Sequence, residues 1–449
     1  MSEAITVSAG DTAWVLASAA LVFLMVPGLA FFYGGLVRSK SSLNTMMMSA
    51  AALGIVGVQW VLFGYSLAFE ANTPLLGGLG WWGFRGVGGE PNPAYASTIP
   101  HAAFAAFQGM FAAITVALVS GAVVERMRFR GYLLFLVLWT TLVYDPLAHW
   151  VWGEGGWLRS LGALDFAGGT VVHVSAGISA LVAALVLGKR RDYGRVPIAP
   201  HNVPFTLLGA GLLWFGWFGF NAGSALGAGD VAANAFVTTF AAPAAALTAW
   251  MILDLIRTGR TTAVGAATGI VVGLVAITPA AGFVTPRAAV AIGAIATCAS
   301  YAAVQWRARS MVDDSLDVFG CHGVAGIVGA ILTGVFATTS VNPGGADGLL
   351  AGNPGQLTTQ LVALAATIVL ASVGTLVILL AVRALVGLRV PVADEIAGVD
   401  LSEHGEEAYV GGDVGDLAGR RAVLGGSVVL PAAEVAARRS GASAEAAPA

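Results

Sequence analysis

Charge is what this sequence has least of. Only 10% of its 449 residues are charged, while 57% are apolar; an average soluble domain carries about 25% charged residues. The 22 Lys and Arg with 25 Asp and Glu cannot coat a soluble globule of this size, so a soluble enzyme is excluded. A mean hydropathy of +0.81 makes hydrocarbon the solvent for most of the chain. The net charge of −3 leaves no basic excess for a nucleic-acid backbone. Cysteine is almost absent. Cys298 and Cys321 both lie in or near apolar stretches, which excludes a disulfide framework and a cysteine-rich metal site. No HExxH motif or pair of catalytic carboxylates lies in the apolar runs, and Gly223-Ser224-Ala225 breaks the nucleophile-elbow pattern. The chain reads as a non-enzyme with no metal or cofactor.

What is present is apolar length. Eleven runs predict membrane helices at 12–34, 44–68, 102–124, 131–150, 166–188, 204–225, 231–254, 262–282, 288–306, 317–338 and 357–386. The expected fold is an all-α polytopic membrane protein. The segments after the odd-numbered spans hold fifteen Lys and Arg, from Arg38 and Lys40 to Arg383 and Arg389, against Arg85, Arg159 and Arg287 on the other side. The positive-inside rule then puts the N-terminus outside and the C-terminus in the cytoplasm. MSEAITVSAGD at the start has no basic n-region, so no cleavable signal peptide is expected. The external loop 69–101, with Trp81, Trp82 and Phe84, reads as a structured cap. Residues 1–390 form the expected membrane domain, 391–410 a cytoplasmic region, and 411–449 a disordered Ala/Gly-rich tail.

Ionisable residues inside spans are costly and usually face a bundle interior or pore. His173 and His322 are each the mid-span histidine of a Gly-rich run, in spans five apart. A duplicated five-span unit gives that spacing, inverted because five is odd, with a final long helix added. Two neutral imidazoles on one axis make a narrow, polar, uncharged line. His101, His201 and His404 read as structural or solvent-facing, and His149 as an anchor at the end of its span. Asp145, four residues before His149 on one helical face, is a candidate partner for it. Asp165 is placed to cap the first turn of span 5. Phe107 and Phe111 share a face, and Trp217 and Phe220 crowd span 6 before Ser224. Aromatic faces with one hydroxyl acceptor suit a small desolvated cation such as ammonium, although interface belts and core packing also claim such rings.

The blocks FQGMFAAITVALVSGAVVERMRF (107–129), PLAHWVWG (146–153), GALDFAGGTVVHVSAG (162–177), WFGFNAGSA (217–225), DDSLDVFGCHGVAGIVGAILTGVFA (313–337) and GLRVPVADEIAGVDLSEHGEEAY (387–409) resemble the ammonium transporters of the Amt/MEP/Rh superfamily, most closely the bacterial Amt branch. The resemblance runs from about residue 11 to 410. It implies an eleven-helix subunit of a homotrimer in the plasma membrane, multi-pass, each subunit with its own pore. It further implies ammonium recruitment at Phe107, Trp152 and Ser224 with Asp165 nearby, a gate at Phe111 and Phe220, and a pore lined by His173, His322 and Trp217. Deprotonation of the ion and conduction of ammonia past the histidines, with net charge movement, is the implied mechanism. The region 391–410 resembles the family's regulatory segment, with a PII-type signalling protein as candidate partner beside the membrane lipids. A passive ammonia or carbon dioxide channel, and an ammonium sensor signalling through its tail, are the competing readings. The resemblance assigns no role to Asp145.

Overall fold

The computed structural model describes residues 6–409, so the tail expected at 411–449 lies outside them; the described chain is helix and loop with two isolated β-bridges. Its long elements are α1 Ala9–Leu36, α2 Ser39–Phe69, α3 His101–Ala122, α4 Phe129–Leu161, α5 Gly169–Leu187, α6 Val203–Gly223, α7 Asp230–Thr258, α8 Ala263–Ile277, α9 Pro286–Arg309, α10 Phe319–Phe336 and α11 Pro354–Leu385. Ten of these are long and apolar enough to cross a membrane. The exception is α8, which has 15 residues where an apolar run at 262–282 was expected. Pro279 cannot donate back along the helix, and its carbonyl instead accepts from the Phe166 amide at 3.1 Å. The α4 helix breaks at 153–156, inside WGEGGW.

Glycine brings these helices together. A Cβ on Gly209 of α6 would stand 2.3 Å from the Phe32 nitrogen of α1, and one on Gly219 2.6 Å from Leu21 Cβ. Small residues at such crossings let backbones approach, the main means of packing helices where lipid removes the hydrophobic drive. Apolar side chains such as Leu16, Phe236, Val369 and Leu385 stay exposed on the outside of the bundle, as a lipid-facing surface requires. Four helices contain a π-helical turn: Trp60–Gly64 in α2, Thr140–Tyr144 in α4, Gly169–Val174 in α5 and Phe319–Val324 in α10. Such turns are uncommon and often mark functional sites.

One end of the bundle is tied by arginine. Glu125, fully buried, accepts from Arg38 Nε at 2.9 Å and Arg190 Nη1 at 2.6 Å. Arg190 also bonds Asp313 at 2.8 Å, and Arg126 reaches the Gly188 carbonyl, Ser315 Oγ and the Asp313 carbonyl. Four interhelical connections are thereby joined, those after α1, α3, α5 and α9. Glu125→Ala would leave the Arg190 guanidinium buried with half its partners. It is expected to cost about 3–5 kcal/mol, read as a lower midpoint of thermal unfolding in detergent.

After α11 the chain folds back on this end as two short helices, α12 Val392–Ala397 and α13 Val399–His404. Asp400 accepts from the Leu43 and Asn44 amides at the start of α2, and Glu403 from the Phe129 amide at the start of α4. These carboxylates serve as caps supplied from a distant part of the chain. His404 bonds Asn44 and His201 bonds Tyr409, so both histidines fasten this segment.

Candidate functional site

Asp165 organises the start of α5. Its Oδ1 accepts from the Gly168 and Gly169 amides at 2.9 and 2.5 Å. Its Oδ2 accepts from the Thr170 and Val171 amides at 2.8 and 3.1 Å and from the Thr170 hydroxyl. Gly168, at φ +108°, supplies the left-handed turn that lets the chain wrap the carboxylate. Burial pushes the Asp165 carboxyl above its ordinary value, against the pull of these bonds. With every lone pair directed at this turn, Asp165 shapes the site through the backbone it holds.

Above this turn lies a cavity of about 500 Å³. Trp152, Ser224, Asp165 and Phe111 line it, together with Gln108 and Arg159. The Trp152 indole donates to the Asp165 carbonyl at 2.8 Å, and the Ser224 hydroxyl donates to the Phe220 carbonyl at 2.8 Å. Phe107 is fully buried and is not among the lining residues; it packs edge-on to Phe111 at 4.9 Å. Gln108 and Arg159 were not singled out from sequence. Gln108 adjoins Phe107 in a helix already identified, so a polar residue next to an aromatic face was the available signal. Arg159 donates to the Trp152 and Ala94 carbonyls and lies 5.6 Å over the Tyr95 ring, fastening the 69–101 cap to the cavity rim.

The Phe111 and Phe220 rings stack at 4.1 Å and separate this vestibule from a second space lined by Phe220, Trp217, His173 and His322. That space offers about 10 Å³, room for about one water molecule. His173 lies against Trp217 at 5.2 Å and Phe220 at 6.0 Å between centroids. Its Nδ1 is 3.4 Å from His322 Nδ1, so one imidazole donates and the other accepts. His173 Nε2 has no partner among the described residues. Trp217 is fixed by its bond to Thr278 Oγ1 at 2.9 Å.

The two histidines have matching surroundings. Each lies eight residues after an aspartate, Asp165 or Asp314, within a six-residue π-helical turn. Asp314 accepts from the Phe319 amide through Oδ2 at 2.7 Å, but its Oδ1 is buried without a partner among the described residues. Burial and the neighbouring Asp317 push its carboxyl up to about 6. Since the unfolded value is about 3.9, the native state binds more protons between these pH values. Stability therefore falls as pH rises through that window, and the penalty of about 2–3 kcal/mol is complete above it. Asp314→Asn keeps an acceptor for Phe319 and removes the charge. The stability difference between variant and wild type is expected to grow from pH 4 to 6 in the variant's favour, as measured by thermal unfolding.

Asp145 does not bond His149. The His149 ring reaches the Ala68 and Thr73 carbonyls at 3.0 and 2.7 Å, whereas Asp145 meets Gln59 at 2.6 Å. Both side chains find partners on or beside α2, so their shared helical face does not bring them together.

A polytopic helical bundle with a polar vestibule, an aromatic barrier and a dry histidine-lined space defines a membrane transport protein. The chain belongs to the Ammonium Transporter Family, whose model matches residues 13–409. It is 51% identical over 401 residues to an ammonium transporter of Bacillus subtilis, covering 89% of this chain and 98% of that protein. It is 46% identical over 403 residues to the ammonium transporter Amt1 of Archaeoglobus fulgidus, covering 90% and 100%. The crystal structure of Saccharomyces cerevisiae Mep2 superposes with a TM-score of 0.81 at 39% identity, over 86% of this chain and 88% of that one. The protein is accordingly a multi-pass plasma-membrane transporter that recognises and conducts ammonium, and not an enzyme.

Proposed function

We propose that ammonium is recruited in the vestibule by Trp152, Ser224 and the Phe111 ring, which Phe107 backs edge-on, with Asp165 holding the turn below. The ion gives up its proton at the Phe111–Phe220 gate, and neutral ammonia passes His173 and His322. The observation that carries this reading is the sequence of spaces: a wide polar vestibule, a stacked pair of rings, then room for about one water beside two imidazoles in contact. Burying an ion in the dry space costs several kcal/mol or more, while ammonia needs only hydrogen-bond partners. Potassium has no proton to surrender and is excluded. The proton crosses by a separate or shared relay, so net charge moves.

Around this pore we read eleven spans, α8 included, with the N-terminus outside and the arginine-rich end in the cytoplasm. Spans 1–5 and 6–10 are inverted repeats. The matched Asp, π-helical turn and histidine in α5 and α10 support that symmetry. Residues 1–390 are the membrane domain of a homotrimer. Residues 391–410 are a regulatory segment, and a PII-type signalling protein is its candidate partner; the caps that Asp400 and Glu403 place on α2 and α4 favour coupling between segment and bundle. The test is the current from liposomes given ammonium, methylammonium or potassium. Current with the first two and none with potassium is expected. Ammonia flux without current would replace this mechanism with a neutral gas channel.

A further inference from the structure

Gln59 immediately precedes the π-helical turn of α2, and Asp145 immediately follows that of α4. The two side chains meet inside the bundle. Gln59 Nε2 donates to Asp145 Oδ2 at 2.6 Å and to Thr141 Oγ1 at 3.3 Å. Asp145 is fully buried, and Gln59 is its only side-chain partner among the described residues. Among the described residues no arginine or lysine pairs with it, and His149 is engaged by two carbonyls. Two acceptor atoms are left over, Asp145 Oδ1 and Gln59 Oε1, both buried and both without a donor among the described residues.

An ionised carboxylate with one amide donor is untenable in such surroundings. A single proton resolves both deficits. Placed on Asp145 Oδ1 it would give that side of the carboxyl a donor to offer Gln59 Oε1, while Gln59 Nε2 donates to Oδ2. The Gln59 amide is packed for this role. A Cβ on Gly64 would stand 2.4 Å from Oε1 and 2.6 Å from Nε2, so both atoms lie side by side against that backbone.

We propose that Asp145 is held as a carboxylic acid, and that its paired bonds to Gln59 make it a positioning residue for Trp152 in the ammonium vestibule. The helical segment Asp145–Trp152 follows a π-helical turn. Such a turn holds one residue more than an α-helical turn, so relaxing it would rotate everything beyond it by about 100°. The Asp145–Gln59 pair blocks that rotation at the start of the segment, as His149 does further along. Trp152 is thereby kept against the Asp165 carbonyl and on the vestibule wall. The inference rests on the reading of Trp152 as a recruitment residue.

Infrared difference spectra of wild type against Asp145→Asn in liposomes test the proton directly. A carboxylic-acid carbonyl band is expected in the wild type and absent from the variant. Asp145→Asn makes the same two bonds as an amide pair, so its ammonium current should match wild type. Asp145→Leu should raise half-saturating ammonium about tenfold, the scale expected for a misplaced binding group, with maximal current kept. The exchanged pair Asp145→Asn/Gln59→Glu should restore the band and keep wild-type affinity. Should Asp145→Leu fail to fold, Gln59→Leu provides the same affinity readout. Absence of the band, or lost current in a monodisperse Asp145→Asn protein, overturns the proposal. If wild type carries no current, the transport reading fails while the band still decides the protonation.

Discussion

Replacing His322 with Glu is expected to let potassium through. In the wild type, the space around the imidazole pair has room for about one water, and its remaining lining is almost wholly apolar. Neither a fixed negative charge nor enough water offsets the desolvation of an ion there. A carboxylate at position 322 supplies the charge, and its own hydration draws water past Phe220. If it recovers even 3 kcal/mol of the barrier, permeation rises on the order of a hundredfold. His173→Asp should act in the same direction, with a shorter carboxylate that has Trp217 and Phe220 for neighbours. Potassium-driven current in liposomes is the measurement. A variant that kept full potassium exclusion and wild-type ammonium flux would remove the histidines from the pore role.

Sequence showed the spans more readily than the contacts, for a physical reason. A run such as 357–386 declares itself through transfer free energy, which is summed along the chain and needs no partner. The same sum found the run at 262–282, but it does not show that the helix ends at Ile277, before Pro279. The histidines were legible because an imidazole in mid-span has few explanations. The eight-residue step from Asp165 to His173, repeated from Asp314 to His322, was equally available in the letters; its significance came from the π-helical turns that propensity does not reveal. Asp145 was misassigned because helical periodicity reports shared faces, while Gln59, 86 residues away in sequence, can be paired with it only through folding. Phe107 and Gln108 illustrate the same limit within one turn. Adjacent residues differ in whether they line the vestibule, and that depends on how α3 is rotated against its neighbours.

Gly177→Ala is expected to abolish transport with a single methyl group. Gly177 in α5 lies against the π-helical turn of α10, where a Cβ would stand 2.1 Å from the Gly323 nitrogen and 2.3 Å from its Cα. Those atoms are backbone and cannot rotate away. On the opposite side of the contact, a Cβ on Gly326 would lie 3.2 Å from both the Gly169 carbonyl oxygen and His173 Cβ. The variant must therefore drive α5 and α10 apart by roughly an ångström. The cost falls at or beyond the upper part of the ~1–3 kcal/mol range for overpacking. The same displacement separates imidazole nitrogens that now stand 3.4 Å apart, beyond the reach of a hydrogen bond. Flux should fall on the order of a hundredfold, with a lower unfolding temperature. Gly54→Ala is the control, since a Cβ there meets nothing within 4 Å and alanine favours a helix by about 1 kcal/mol over glycine. Retained flux and stability in Gly177→Ala would mean that the spacing of the two histidines is set elsewhere than at this glycine contact.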